Sequence, residues 1–371
     1  MRNNINILKK FPNIAVVKGY NRSIICDFQR NDFCYIPNMM ADFLKFYEGK
    51  EIKDEIRKEY YDYIDFLLEK DFIFFCHEKE VGRFQKMSLE WDYPNKISNS
   101  IIEYNGNNEH VFFKGFHFLL EIGCEDYLIV SYSPLSSQVM KQILSYSANY
   151  LLNSITFYIS NDNSQNINYL KIIKEHPNVL NIVLFNSSKN SNIAHNETFG
   201  SLIMTTKQLD YNDYEKDISL FNISVTHFCE AQQHNTYFNR KIFIGHNGEI
   251  KNSPTSTITY GNIEMLSNFF QIEDILQNSN FKELWFTPKS DTEVCRFCEY
   301  RFMCTDSRVP IKTKEGKWFF KEECNYNPFI SKWKGENGHL SVESCGHMTD
   351  KENFLIDKKK VKEINKKLWH I

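Results

Sequence analysis

The sequence predicts an α/β protein in which a small N-terminal module, a parallel βα sheet and a loop-rich, metal-binding C-terminal part follow one another. Three observations carry this. Short β-branched and aromatic runs broken by turn residues open the chain. Strand and helix patterns then alternate at about 25 to 30 residues per repeat. Four of the ten cysteines crowd together near the end. With 371 residues, 42% hydrophobic and 25% charged, the chain can build two or three cores. Lys+Arg 44 against Asp+Glu 47 leaves a net charge of -3, so no basic surplus points to nucleic acid or anionic lipid, and neither is expected as a partner. No apolar run is long enough to span a membrane, and Pro12, Lys18 and Arg22 interrupt any secretory signal, so a cytoplasmic location is expected.

Residues 14 to 36, IAVVKGYNRSIICDFQRNDFCYI, read as short antiparallel strands punctuated at Lys18-Gly19-Tyr20-Asn21 and Asn31-Asp32. Pro37 starts a helix in which Met39, Met40, Phe43, Leu44 and Tyr47 keep helical spacing, and Gly49 stops it. A second helix is expected over 52–69, with Ile52, Ile56, Tyr60, Tyr63, Phe66 and Leu67 on one stripe, followed by a strand at Phe72-Ile73-Phe74-Phe75. This order suggests a winged-helix-like module. Past a linker with Pro94 and Ser98, strands are expected at 125–131, 154–159 and 179–185 and helices at 135–150 and 166–176. Ile101-Ile102 and Leu202-Ile203-Met204 would add strands to a partial barrel or open sheet. Residues 241–254 form a hairpin candidate turning at Asn247-Gly248, 263–276 a helix, and 287–310 a loop. In the tail, Val361, Ile364, Leu368 and Trp369 give a closing helix one apolar stripe, and seven lysines from Lys351 to Lys367 form its solvated face.

In a reducing compartment, crowded cysteines mean a metal more often than disulfides. Cys295 and Cys298 are separated by two residues, which lets both thiolates turn toward one cation; Cys304 follows, and Cys324 completes four ligands through a closed loop. Thiolate selects Zn²⁺ or the iron of an Fe–S cluster, and spacing does not choose between them. A redox C-x-x-C would need a βαβ context that is lacking here. Cys345 and His347 are weaker rival ligands, whereas Cys26, Cys34, Cys76 and Cys124 read as buried packing residues.

With EAQQHNTYFNRKIFIGHNGEIKNSP, YGNI, CRFCEYRFMCTDSRVP and ECNYNPFISKW, the chain resembles the SPASM-domain peptide maturases of the grasp-with-spasm systems; VVKGYNRSIICDFQR and SLEWDYPNKISNSII match their general plan. The resemblance covers nearly the whole chain and rests on the combination of pieces. It implies a protein encoded beside an ATP-grasp ligase and a short precursor peptide, in bacterial biosynthesis of ribosomally made, post-translationally modified peptides. The related radical SAM/SPASM enzymes have a peptide-recognition module, a partial (β/α) barrel with an S-adenosylmethionine-binding cluster, and a C-terminal domain with two auxiliary [4Fe-4S] clusters. By that plan, residues 1–92 are a winged-helix-like peptide-recognition domain, 93–217 a partial radical SAM-like βα domain, 218–342 a SPASM-like domain and 343–371 a helical tail.

The radical step in those enzymes needs a C-x₃-C-x₂-C triplet, which this chain does not contain, so no S-adenosylmethionine cluster is expected. Cys295, Cys298, Cys304 and Cys324 match the second auxiliary cluster's ligands. For the first, Cys229 matches the opening cysteine, but the G-x₄-C position reads Gly248 to Ser253 and Ser307-Arg308 replace a later cysteine, which implies its loss. Without a redox chain Zn²⁺ becomes the favoured ion and [4Fe-4S] the alternative.

The function implied is a maturation factor that binds the precursor leader and assists the ligase. The rivals are an Fe–S-dependent peptide-modifying enzyme and an assembly protein that never touches the peptide. No catalytic residue is assigned. The sheet edge at Ile24, Ile25, Cys26, Asp27 and Phe28 would accept the leader as an added strand. Lys18 and Arg22 either favour acidic leader residues or serve as ordinary surface charges, and Trp318 and Trp333 read as packing anchors. His227, Cys229, Glu230 and His234, with His246 in the hairpin, make a further polar concentration suited to metal or proton chemistry, or to ordinary hydrogen bonding.

Overall fold

The computed structural model describes residues 6–162, 167–214, 218, 221, 223–349 and 353–369. Contacts divide the chain into two units, one of Met1–Trp91, Tyr214–Thr236 and Thr287–Ile371, the other of Asp92–Asp213 and Tyr237–Phe286.

The first unit begins with β1 (Ile7–Lys10), a meander of β2 (Ile14–Lys18), β3 (Ser23–Asp27) and β4 (Asp32–Ile36), then α1 (Asn38–Tyr47), α2 (Asp54–Glu59), α3 (Tyr61–Glu69) and β5 (Ile73–Cys76). β1 pairs antiparallel with β5, and β2-β3-β4 form a separate antiparallel sheet. Alternate residues of β3 face opposite sides, and both sides are covered: Ile25 joins the core under α1, while Ile24 and Cys26 pack with Tyr300, Met303 and Tyr326. The expected leader-accepting edge at Ile24 to Phe28 is therefore corrected. β3 is flanked by strands on both sides, Ser23 to Asp27 are all buried, and the free edges belong to β2 and β4. α1 starts after Pro37 as expected and buries Met40, Ala41, Phe43 and Leu44. The single helix expected over 52–69 is two helices: at Tyr60 the backbone leaves helical geometry (φ -108°, ψ 29°), and its ring stacks on Phe43 at 4.9 Å. That tertiary contact outweighs the local periodicity.

The second unit is a mixed α/β layer on one large sheet. Its elements are β6 (Asn99–Tyr104), α4 (Glu109–Glu121), β7 (Asp126–Ser131), α5 (Ser137–Ser147), β8 (Ser154–Ser160), α6 (Tyr169–Glu175), β9 (Val179–Phe185), β10 (Ser191–Ala194), β11 (Ser201–Met204), β12 (Lys241–Ile244), β13 (Glu249–Lys251) and β14 (Gly261–Asn262). The strand order is β10-β11-β9-β8-β7-β6-β12-β13-β14, with every pairing from β11 to β12 parallel and the outer ones antiparallel. The sheet is open, with β10 and β14 at its edges. Side-chain caps start two of the helices: Ser136 accepts from Val139 N–H and Asn168 from Lys171 N–H. Ile155, Phe157 and Ile159 are buried in alternation along β8. Helix α4, absent from the sequence reading, is amphipathic: Val111, Phe112, Gly115, Phe116 and Leu119 are buried along one face, while His110, Lys114, His117 and Glu121 keep helical spacing on the face that reaches solvent. Gly115 lets this helix approach the sheet, since a Cβ there would lie 3.2 Å from Ile244. The expected helix over 263–276 begins only at Phe270. Residue 166 and Lys351, at the ends of expected helical segments, lie outside the described residues. Among the described residues no helix is long and apolar enough to cross a membrane.

The hairpin at 241–254 is present, but its loop is one residue longer than a two-residue Asn-Gly turn. Gly248 N–H donates to Gly245 O, Gly245 N–H to Glu249 O, and Gly248 sits at φ +84°. A Cβ there would stand 2.7 Å from Asn262 Oδ1 and 2.9 Å from Ile263 Cγ2. Gly248→Ala should therefore cost about 2 kcal/mol in urea unfolding, combining left-handed strain with the clash.

Candidate functional site

Residues 287–333 have little regular structure, so side chains and single turns hold them. The Cys295-Arg296-Phe297-Cys298 segment is one 3₁₀ turn closed by Cys298 N–H donating to Cys295 O at 2.9 Å. Immediately before it, Val294 has φ +67° and ψ -53°, and Cys295 N–H donates to Glu293 O at 2.8 Å. This is a γ-turn of the strained positive-φ kind at a β-branched residue. Such strain costs on the order of 1–3 kcal/mol and gathers at ligand clamps and switches.

Cys295, Cys298, Cys304 and Cys324 all line one cavity of about 40 Å³, walled by Tyr300, Tyr326 and Trp333. Trp333 is the aromatic anchor expected of it, 4.7 Å from Tyr326 and 5.8 Å from Tyr300 between ring centroids. Among the described residues, no three or more His, Cys, Asp or Glu side chains are drawn together as a metal-ion group. The sulfurs share a cavity without forming a closed ligand set. Burial pushes the Cys295 thiol up to about 11 and Cys304 to about 12, and it raises Cys298 well above the ordinary value. Lys289 and Arg308 oppose this rise at Cys295, and Lys289 does so at Cys304. Tyr326 N–H donates to Cys324 Sγ at 3.4 Å.

The cavity lining includes three cations, Lys289, Arg301 and Arg308, against one carboxylate, Asp306. Lys289 and Arg308 are both 3% exposed; Arg308 grips Asp306 with Nη2 at 2.6 Å, and Lys289 Nζ lies 3.5 Å from the same carboxylate with no hydrogen-bond partner. A buried excess of positive charge is costly unless an anion balances it. Four thiolates around a divalent ion, or around an iron–sulfur cube, would carry the negative charge that this surround favours. The donor chemistry and the charge fit such a group. These charged partners escaped the sequence reading, although Arg, Glu and Asp are interleaved among the cysteines in CRFCEYRFMCTDSR.

The residue after Cys298 ties this segment to the N-terminal sheet. Glu299, fully buried, accepts Arg22 Nε at 2.7 Å and Tyr326 OH at 2.5 Å. Arg22 Nη2 also donates to Tyr300 OH at 2.9 Å and Tyr326 OH at 3.3 Å, and the guanidinium lies 3.6 Å from the centre of the Tyr35 ring. Tyr20 N–H donates to Phe297 O, and Arg301 Nη1 to Lys18 O. Arg22 is thus committed inside the protein, and Lys18 pairs with Asp42 on the surface. Of the remaining proposed peptide contacts, Ile24, Ile25, Cys26, Asp27 and Phe28 are buried, with Asp27 bound to Asn13 and Arg30.

Among the described residues the polar concentration does not close into a metal-ion group. His227 and Cys229 lie on the helix Val225–Glu230, with the Cys229 thiol against Ser88 O at 3.5 Å. His234 packs its ring 5.2 Å from Trp91. His246 belongs to the second unit, where its Nδ1 stands 3.1 Å from Glu103. His227 Nε2 is buried without a hydrogen-bond partner, and burial lowers its pKa to about 4, so it stays neutral near pH 7 and does not shuttle protons there. Of the isolated cysteines expected to be buried packing residues, Cys26, Cys76 and Cys124 are buried, whereas Cys34 is only half-buried against the core under α1; burial pushes Cys26 and Cys124 up to about 12.

No protein-family model matches the chain, and no curated protein matches it. Two crystal structures of SuiB from Streptococcus suis, one bound to S-adenosylmethionine, align over 80% of this chain and 94% of theirs at 10% identity and a TM-score of 0.32. A likeness that loose transfers neither fold detail nor chemistry.

Two expectations follow from these contacts. Arg22→Ala leaves Glu299 buried and unpaired and should cost about 3–5 kcal/mol in denaturant unfolding, whereas Arg22→Met with Glu299→Leu should recover most of that loss. His227 holds its proton less tightly when folded, so the stability it contributes is present above pH 6.5 and lost as pH falls toward about 4. Replacing it by Leu should remove up to about 3 kcal/mol of acid destabilisation between those limits in thermal melts.

Proposed function

We propose that this chain is a maturation factor for a ribosomally synthesised, post-translationally modified peptide, which binds the precursor leader and assists a partner ATP-grasp ligase without radical chemistry of its own. In this reading the winged-helix-like module recognises the peptide, the βα sheet is a degenerate radical SAM-like core, and the cysteine segment is a SPASM-like domain. The observation that carries it is the cysteine cavity, whose four thiols lie among buried cations and whose flanking Glu299 grips the N-terminal sheet. The sequence adds the missing C-x₃-C-x₂-C triplet, which leaves no S-adenosylmethionine cluster to be held.

Cys295, Cys298, Cys304 and Cys324 would hold Zn²⁺, which supplies a cross-link to a loop-rich segment when bound. The same four sulfurs make [4Fe-4S] the alternative, and with it a peptide-modifying enzyme.

Metal analysis of the anaerobically purified chain should find about one equivalent of zinc, lost in Cys298→Ser together with unfolding cooperativity. Stoichiometric iron and acid-labile sulfide would support the alternative. The metal-free protein keeps its thiols protonated when folded and releases those protons on unfolding, so its stability should fall as pH rises from 9 through about 12. The zinc-loaded protein, its thiolates already formed, should lack that alkaline limb in thermal melts. A labelled leader should be retained by the chain with or without the ligase, and retention in neither condition rules out the peptide-binding role.

A further inference from the structure

Hydrogen-bond parity identifies the open side of β2. Phe28 N–H donates to Asn13 O and Gly19 N–H to Arg22 O, with Ile14 opposite Asp27 and Lys18 opposite Ser23. Ala15 and Val17 therefore bond to β3, while Ile14, Val16 and Lys18 turn their backbone groups outward. Some of these are met: Ile14 N–H donates to Phe11 O, Lys10 Nζ reaches Ile14 O at 3.5 Å, and Arg301 Nη1 reaches Lys18 O at 2.8 Å. The Val16 N–H and C=O have no hydrogen-bond partner among the described residues.

A groove of about 270 Å³ runs past this open stretch, lined by Lys9, Lys10, Val16, Glu48, Lys86 and Met87 among others. Its opposite wall, residues 84–89, has no strand pairing, so the N–H and C=O of Val16 are left for another chain. Three lysines and a single carboxylate line it: Lys10 lies 3.7 Å from Glu48, and burial together with the repulsion of Lys86 and Lys9 lowers its pKa despite that partner. Phe228 and Phe302 give the groove an apolar floor. The features match strand addition, in which main-chain bonds give affinity and alternate side chains enter pockets.

We infer that this groove captures an extended acidic peptide segment, which pairs with the open backbone of Val16 and places a carboxylate among Lys9, Lys10 and Lys86. The inference rests on the peptide-binding reading above and gives it a location and a side-chain preference. The occupant is acidic because the groove already has more cations than anions, and extended because the unmet groups are those of a strand.

The test uses the full chain and a fluorescein-labelled pentapeptide alternating valine with glutamate, beside its glutamine and lysine counterparts. Anisotropy should show the glutamate peptide binding more tightly than the glutamine one, and the lysine peptide not binding. Lys86→Glu should weaken the glutamate peptide by about fivefold or more, while Lys58→Glu on α2 leaves it unchanged. Hydrogen exchange should show the Val16 amide slowed by the peptide in the unmodified protein. Equal affinity for the glutamate and glutamine peptides, an unaffected Lys86→Glu variant, or binding without protection at Val16 each overturns the inference. If the natural leader binds while Val16 stays unprotected, the groove assignment fails and the maturation-factor reading survives. If the leader does not bind but the glutamate peptide protects Val16, the groove stands and that reading fails.

Discussion

The ion pair between partly buried Arg22 and fully buried Glu299 is the constraint on which the first unit depends. Glu299 has no exposed surface and follows directly on Cys298, so placing its carboxylate also places the C-x-x-C turn. Arg22 comes from the turn between β2 and β3, 277 residues away in sequence. A pair of this kind adds little net stability, because removing both charges from water offsets most of their attraction. What it does enforce is specificity. An arrangement that separated the two would leave one charge buried alone, and the tyrosines 35, 300 and 326 complete the hydrogen bonding only in this geometry.

The same reasoning extends to the cysteine cavity. Lys289 and Arg308 are held where water is scarce, with Asp306 as their shared counter-charge and the four thiols on the remaining side. Neutral thiols balance nothing, and burial favours the neutral form. Deprotonation coupled to the proposed metal binding would reverse this, since the thiolates formed would be the anions the cations lack. The strained backbone at Val294 sits beside the first of these sulfurs, where tight closure of the turn compensates an unfavourable torsion.

Much of the fold was legible in the sequence because it rests on local patterns. The parallel strands carry continuous apolar centres separated by capped helices, and Val179–Phe185 was located to the residue. Helix α4 was legible too, since Val111, Phe112, Phe116 and Leu119 keep helical spacing opposite His110, Lys114, His117 and Glu121; the break at Tyr60, whose ring stacks on Phe43, was not. The four cysteines were legible through their spacing, but their counter-charges were not: the partners of Glu299, Asp306 and Lys289 are set by tertiary packing rather than by period. The edge assigned to Ile24–Phe28 failed for a reason the sequence does contain. In a three-strand meander the second strand lies in the middle, and the apolar run of Ile24, Ile25 and Cys26 marks a strand covered on both faces.

The N-terminal sheet and the cysteine segment form one body joined through Arg22 and Glu299, which the proposed zinc would complete. Hydrogen exchange at the β3 amides of Ile24 to Cys26, compared with and without added zinc, tests it most directly. Slower exchange at these strand amides on zinc addition, abolished by Glu299→Gln, is the expected result. Identical exchange with and without zinc, in a protein shown to have bound the ion, would contradict it.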